Sequence, residues 1–363
     1  MTTTVNNEHK NIKVPNLRFK EFQGEWISKT IGDIAPLQRG FDLPTGQICN
    51  GKIPVVYSNG IMNHHSSYKC VAPGLVTGRS GTIGKFTYIE DGYYWPHNTS
   101  LWVTDFHDNN PKFIHYLYQT IHIEQYSTGS GVPTLNRNYV HRHKTFIPKL
   151  KEQNKIAAFL SLLDERIATQ NKIIEDLKKL KSAISHILFS SKGAIHLSEI
   201  ANVVMGQSPS SNAYNDQGLG MPLVQGNLDI SNGKTTPRLY TAEFNQTTEK
   251  GNIILTVRAP VGEVAKATQK VCLGRGVCAI IPHEENMSDF IYQYLTFYKF
   301  MWRRYEQGST FTSINGSDVR NIFCPKVRNV SILTLLDIKI NIEERVVKQY
   351  QSQKQYMLYQ MFI

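Results

Sequence analysis

Two arginines stand at the start of short turns that can present a guanidinium to a ligand. Arg79 follows Thr77-Gly78 and leads into Ser80-Gly81-Thr82-Ile83-Gly84; Arg258 follows Thr256-Val257 and leads into Ala259-Pro260-Val261-Gly262. An arginine on such a turn can grip a guanine edge or a phosphate with two parallel N–H donors, or pin its own loop to a carboxylate. On the sequence both readings stay open. Gly129-Ser130 and Gly308-Ser309-Thr310 offer backbone N–H and hydroxyl donors of the kind that hold phosphates, or are turns of small residues. Arg137, His141, Arg142, His143 and Lys144 form a dense basic run, which is either a solvated face or part of a binding side. The candidate contacts to a polyanion are Asn59, Arg79, Lys85, Ser130, Asn136, Arg142, Lys144, Asn227, Arg258, Arg275, Ser309, Thr310 and Asn315.

Signals for catalysis are missing. Gly78-Arg79-Ser80-Gly81-Thr82-Ile83-Gly84-Lys85 resembles a phosphate-binding P-loop only loosely, because its glycine spacing is one residue too long and Phe86 stands where Ser or Thr must hold magnesium. The Asn/Asp-Pro-Pro-Tyr/Phe sequence of adenine methyltransferases does not occur, nor does a nuclease-like carboxylate cluster. His64-His65 and His141-x-His143 lack a spaced third ligand, so a metal site is not expected. The five cysteines are scattered without a Cys-x-x-Cys pair, which fits a reducing compartment better than a disulfide framework. No apolar run reaches the roughly 20 residues of a membrane helix, and the start of the chain has no apolar core of a signal peptide. A cytoplasmic protein is expected. With 40 Lys and Arg against 29 Asp and Glu, the net charge of +11 favours a polyanionic partner.

These loops recur because the chain is written twice. Ile31-Gly32-Asp33-Ile34-Ala35 is echoed by Leu197-Ser198-Glu199-Ile200-Ala201, and Pro54-Val55-Val56 with Asn59 by Pro222-Leu223-Val224 with Asn227. Thr77-Gly78-Arg79 returns as Thr256-Val257-Arg258, and Gly129-Ser130 with Asn136 as Gly308-Ser309 with Asn315. Leu162-Leu163-Asp164 recurs as Leu335-Leu336-Asp337, each followed 25 residues later by a phenylalanine, Phe189 or Phe362. The offset stays between 166 and 179 residues, which chance matches would not maintain. Five segments follow: a disordered start at 1–14, a first domain at 15–147, a long helix at 148–190, a second domain at 191–324 and a last long helix at 325–363. Within the domains, short β-rich runs such as 53–57 and 100–103 alternate with Gly, Asn and Pro. One helix is expected in each, from Lys112 to about Gln125 and from Asp289 to about Arg304. Trp26 is the expected anchor of the first domain.

The two long segments carry heptads. Leu160, Leu163, Ile167, Ile174, Leu177, Ile184 and Leu188, completed by Gln170 and Lys181, keep an unbroken 3-4 spacing. Leu336, Ile340, Val347, Tyr350 and Met357, completed by Glu343 and Lys354, repeat it. Gln170 coincides with Glu343 and Lys181 with Lys354. Such stripes need a partner, and the simplest is the other copy, paired antiparallel. The fold class expected is α+β, with two pseudo-symmetric domains separated by this helix pair. A helix over residues 150–189 would be a rod of roughly 60 Å, a natural ruler.

With these residues in hand, the chain resembles the specificity (S) subunits of type I restriction-modification systems over nearly its whole length. The most telling stretch is Ile147-Pro148-x3-Glu152-Gln153-x-Lys155-Ile156-Ala157-x-Phe159-Leu160-x2-Leu163-Asp164, which is similar to the start of the family's central conserved region. Val14-Pro15-x-Leu17-Arg18-Phe19 and the Gly-Ser-Thr loop at Gly308 are also similar to family members. The resemblance implies two target-recognition domains that each read half of a split double-stranded DNA sequence. It implies two modification subunits docked on the helices that supply S-adenosylmethionine chemistry, restriction subunits that supply ATP- and Mg-dependent cleavage, and a specificity subunit that is not catalytic and binds no cofactor. The second copy departs from the pattern: from Pro325 to Asp337 is 12 residues against 16 from Pro148 to Asp164, so about one turn is missing. That bears on whether the second modification subunit docks equally. The other expectation, from a different class, is a coiled-coil protein–protein adaptor whose charge is incidental.

Overall fold

The computed structural model describes residues 13–129, 131–190, 195–305, 313–326 and 329–363. The expected disordered start therefore falls, up to residue 12, outside the described residues. The chain divides into two compact units, one of Met1–Gln170 with Val346–Ile363 and the other of Asn171–Arg345. The helices are α1 (Ile31–Ile34), α2 (Pro111–Thr120), α3 (Arg137–His141), α4 (Leu150–Phe189), α5 (Ser288–Tyr298), α6 (Gly316–Arg320) and α7 (Ser331–Met361).

In the first unit, Ile27–Thr30 pairs antiparallel with Lys144–Ile147 and so brings the two ends of the domain together. Between them lie two four-stranded sheets. One runs in the order Leu37–Arg39, Ser100–Val103, Gly74–Gly78, Phe86–Ile89; the other Gly60–His65, Ile53–Tyr57, Tyr93–Pro96, Cys70–Val71. The second unit repeats the plan. Ile195–His196 pairs with Phe323–Cys324, and sheets centred on Ile253–Thr256 and on Met221–Val224 take the places of the other two. The parallel pairing of Val56 with Pro96 is matched by that of Val224 with Leu273.

Helix α2 starts where Asn110 caps it, its side chain accepting from Phe113 N, with Pro111 at the first position where no N–H is needed. It is shorter than the expected span to Gln125. His122 adopts a left-handed backbone (φ 49°) and the chain continues as a 3-10 turn over Ile123–Tyr126. Likewise α5 stops at Tyr298 and passes into a 3-10 segment, Lys299–Tyr305, where a single helix to Arg304 is expected.

The two long helices run antiparallel within each unit. In the first, Asp164 faces Lys354 and Arg166 lies over the Tyr350 ring; in the second, Lys178 faces Glu344 and Lys181 faces Asp337. Every seam position is withdrawn from solvent at least in part. Leu160, Leu163, Ile174, Ile340 and Val347 are buried, and Ile167, Leu177, Ile184, Leu188, Leu336, Tyr350 and Met357 are half-buried.

Each unit is tied together by the same knot. The Asp164 carboxylate accepts from Lys354 Nζ at 2.6 Å and from the Tyr116 hydroxyl of α2 at 2.7 Å. The Asp337 carboxylate accepts from Lys181 Nζ at 2.5 Å and from the Gln293 amide of α5 at 2.7 Å. Phe362 stacks on Phe113 of α2 in the first core, and Phe189 packs against Phe290 and Tyr294 of α5 in the second. The Leu-Asp that ends each repeated motif (Leu163-Asp164, Leu336-Asp337) and the phenylalanine 25 residues on thus dock each domain onto both helices, while the leading Leu162 and Leu335 stay exposed.

The first unit has an anchor without a counterpart among the described residues of the second. The start of α4 buries Glu152, Gln153, Ile156 and Ala157. Glu152 receives two hydrogen bonds from Arg18, each of 2.8 Å, and one from Trp26 Nε1 at 3.3 Å, so Trp26 is indeed a buried anchor. The Arg18 guanidinium is held above its ordinary pKa by that hydrogen bond. Gln153 accepts from Asn110 N and donates to Pro148 O. Helix α7 begins only six residues before Asp337, whereas α4 begins fourteen before Asp164, so this region has no helical equivalent among the described residues of the second unit.

Candidate nucleic-acid interface

The strand that ends at Gly78 and the strand that ends at Thr256 each deliver a loop to one rim of their domain. The register fixes which residues correspond. Gly40 N donates to Ser100 O and Gly206 N to Val277 O, so Ser100 and Val277 are equivalent. Ser100 pairs with Gly78, and Val277 pairs with Thr256. Arg79 is therefore equivalent to Val257, and Arg258 to Ser80. The next bonds agree: Leu135 N donates to Arg79 O as Ile314 N does to Val257 O, and Ser80 bridges Thr134 as Arg258 bridges Ser313. This corrects the sequence alignment of Arg79 with Arg258. Successive strand residues point to opposite faces, so a one-residue slip sends the two guanidinium groups to different sides of the rim.

Arg79 accordingly lines a cavity of about 360 Å³ with Arg39, Thr134, Asn136 and Arg137. Arg258 lines a different one, of about 520 Å³, with Arg275, Gln225, Tyr214 and Ser208. Neither Arg79, Arg258 nor Arg275 pairs with a carboxylate among the described residues. A guanidinium without an acid partner in a concave rim is available to an anion or a base edge.

The other candidates fall in several places. Asn59 and Lys85 are exposed on the first rim, where Lys85 Nζ lies 3.4 Å from Asn59 O. Asn227 opens the 3-10 turn Asn227–Asp229 on the second. Asn136 and Asn315 are helix caps: the first accepts from Asn138 N at 3.0 Å, the second from Ser317 N at 2.8 Å and Asp318 N at 3.0 Å. Their shared spacing thus reports a repeated turn-to-helix junction. Arg142 is exposed just before the closing strand pair, and Lys144 is exposed within it, opposite Thr30. Ser130, Ser309 and Thr310 lie outside the described residues.

The basic run is less basic than its letters. His141 Nε2 accepts from Leu37 N at 2.8 Å, and burial, helped by Arg137, lowers its pKa. His143 Nδ1 bonds the Tyr126 hydroxyl at 2.7 Å, and burial lowers its pKa as well. Both are neutral structural groups. His65 is also structural, Nδ1 accepting from Cys49 N at 3.1 Å. No group of three or more metal-ligating side chains exists among the described residues. Nor is any helix there long and apolar enough to cross a membrane.

Gln225 and Arg39 were not legible as site residues. Only the fold brings them beside the loop arginines, where Arg137 of the basic run also lies.

The sequence model of the type I restriction modification DNA specificity domain matches residues 23–179 and again residues 193–349. The chain belongs to this family. Among curated members of the specificity family it is 33% identical over 214 residues to the putative type I restriction enzyme MjaX specificity subunit of Methanocaldococcus jannaschii, covering 53% of this chain and 50% of that one. It is 24% identical over 172 residues to the type I restriction enzyme EcoprrI specificity subunit of Escherichia coli, covering 46% of this chain and 42% of the relative. The matches span about half the length of these curated relatives. The crystal structure of a type I restriction-modification S subunit from M. genitalium superposes with a TM-score of 0.67 at 20% identity, covering 96% of this chain and 99% of that one. A chain from a structure concerned with complex assembly and conformational transition of the type I system gives a TM-score of 0.57 at 20% identity, covering 92% and 96%. These likenesses establish the shared fold: two specificity domains and an antiparallel pair of long helices.

Proposed function

We propose that the chain is the DNA-recognition and scaffold subunit of a type I restriction-modification complex, reading a two-part double-stranded target whose halves lie a fixed gap apart. The observation that carries this reading is the pair of rim cavities. Arg79 in one domain, and Arg258 with Arg275 in the other, face outward with no acid partner among the described residues. Their chemistry suits base edges and phosphates, and the net charge of +11 suits the duplex as a whole. The subunit itself is non-catalytic and holds no cofactor. Two modification subunits supply S-adenosylmethionine chemistry, restriction subunits supply ATP- and Mg-dependent cleavage, and the assembly works in the cytoplasm. For docking such partners the long helices keep apolar side chains outside their seam. Ile173, Leu180 and Ile187 recur every seven residues on α4, with Leu335, Ile338 and Ile342 on α7, all exposed.

Sequencing of methylated sites in cells carrying the complex tests the reading. A two-part motif with a constant gap is expected, and a continuous palindrome overturns it. Binding of the assembled complex to DNA is expected to weaken steeply with salt as counterions are released. Binding to partner proteins without any salt-dependent DNA affinity would favour the adaptor instead.

A further inference from the structure

A glutamine held by its backbone lines the second-domain cavity. Gln225 directly follows the strand Met221–Val224, and its backbone N–H donates to the carboxylate of Asp229 at 2.8 Å. Asp229 is buried, and its other oxygen accepts from Arg238 Nε at 3.0 Å. A buried carboxylate is spent here on fixing one turn, a costly use unless the turn must be rigid. The loop opposite is built around the same residue. A Cβ added to Gly276 would lie 2.0 Å from Gln225 O, and one added to Gly274 would lie 3.0 Å from Gln225 Cγ. Gly274-Arg275-Gly276 can therefore close onto Gln225 only because both flanking residues are glycine, and the exposed Arg275 is carried between them. Its backbone N–H is fixed by Ser208 Oγ at 3.1 Å. Amid these fixed backbones the Gln225 carboxamide has no hydrogen-bond partner among the described residues. Among the described residues no carboxylate lines the cavity, and Arg258 and Arg275 belong to its lining.

A carboxamide offers one donor and one acceptor side by side, which match N7 and the N6 amino group of adenine. We propose that Gln225 is the residue with which the second domain reads an adenine edge in its half of the DNA target, and that Asp229 is the positioning residue that holds it there. This rests on the DNA-recognition reading above. Arg258 and Arg275 draw the duplex in on either side, and the rigid turn makes the amide's direction selective for a base.

The test uses the full chain assembled with modification subunits, comparing methylated motifs of wild type and variants. Gln225→Ala is expected to relax one adenine position of one half-site by about 10- to 100-fold in preference, leaving the other half-site and the gap unchanged. Asp229→Asn is expected to relax the same position by a smaller factor, a change in base preference that mere loss of stability would not produce. Gln225→Glu keeps the shape and the backbone contact to Asp229, so it serves if the alanine variant fails to assemble. Its carboxylate only accepts, so adenine N7 meets no donor and the preference is expected to disappear. Retention of the wild-type motif by Gln225→Glu, or equal loss of affinity for all sequences, overturns the proposal while leaving the DNA-recognition reading intact. A wild-type complex without a two-part motif removes both.

Discussion

Asp164 and Asp337 meet the same kinds of partner in their two units, a lysine from the other long helix and a side chain from the domain's own helix. The rims do not match in this way. Where the first has Asp42 bonded to Asn98, the second has Ser208 holding the backbone of Arg275. Where the first has Tyr57, its ring tilted against His97 with centroids 4.2 Å apart, the second has Gln225. The contrast separates two jobs within one repeat. Contacts that join domain to helices must keep one geometry in both copies, because the packed elements on either side are the same. Contacts at the rim face outward and are free to differ, and a pair of different rims is what two unlike half-sites require.

The largest test of the shared half is the phenylalanine at each helix end. Phe189→Ala and Phe362→Ala each empty a buried ring site and are expected to cost about 3–5 kcal/mol. Hydrogen exchange should show each loss confined to the unit whose core the ring fills: Phe362 acts on Phe113 and its neighbours, Phe189 on Phe290 and its neighbours. If either variant loosened both units equally, the two knots would not be independent.

Glu152→Ala probes the anchor at the start of α4, which has no counterpart among the described residues of the second unit. It leaves Arg18 half-buried without its anion, and loss of about 3 kcal/mol is expected from the first unit alone. Urea unfolding read by exchange in α2 and α5 distinguishes the units. An unchanged α2 would show that the Arg18–Glu152 pair contributes nothing.

Much of this division was legible in the sequence. The heptads and the repeated Leu-Leu-Asp located the helix pair because a seam demands one residue type at a strict period, and that constraint is local. The knot itself was only half visible. Lys181 and Lys354 stood out as matched polar breaks, but their partners Asp337 and Asp164 lie on the other helix, and nothing in either string pairs them. The rim was least legible. Arg79 and Arg258 share a motif and yet occupy non-equivalent positions, because a one-residue slip in strand register leaves no trace in the letters. Asn136 and Asn315 each cap a short helix, a role that the shared spacing alone does not reveal.

The reciprocal ion pairs give a subtler comparison. Asp164→Asn and Asp337→Asn each keep the shape, remove the charge facing Lys354 or Lys181, and weaken the bond from Tyr116 or Gln293. A charge-assisted pair half open to solvent is worth about 1–2 kcal/mol, so the two variants should shift the urea midpoint of their own units by similar amounts. A silent variant in one unit beside a full effect in the other would mean that the duplicated pair is functional in one copy only.

The last comparison is made by pH. On α2 the residue before Tyr116 is His115, and on α5 the residue before Gln293 is Tyr292. His115 packs against Tyr88 and Tyr116, bonds Gln119, and is held near a pKa of about 4, chiefly by burial and then by Lys354 and Lys112, against an opposing pull from Asp164. Its folded pKa lies below its ordinary 6.5, so the unfolded chain binds the proton more readily. Stability present above pH 6.5 is then lost as pH falls toward 4, at up to about 1.4 kcal/mol per unit. At pH 5.5 the first unit should be weaker by about 1 kcal/mol through this residue, with exchange in α2 rising. Tyr292 brings no such group to α5, its hydroxyl being pushed above the ordinary phenol range by burial. His115→Gln should make the acid limb of α2 shallower, leaving the share of His141 and His143, without touching α5. If α2 in that variant lost protection with acid as steeply as in wild type, His115 would not be what makes the two units differ.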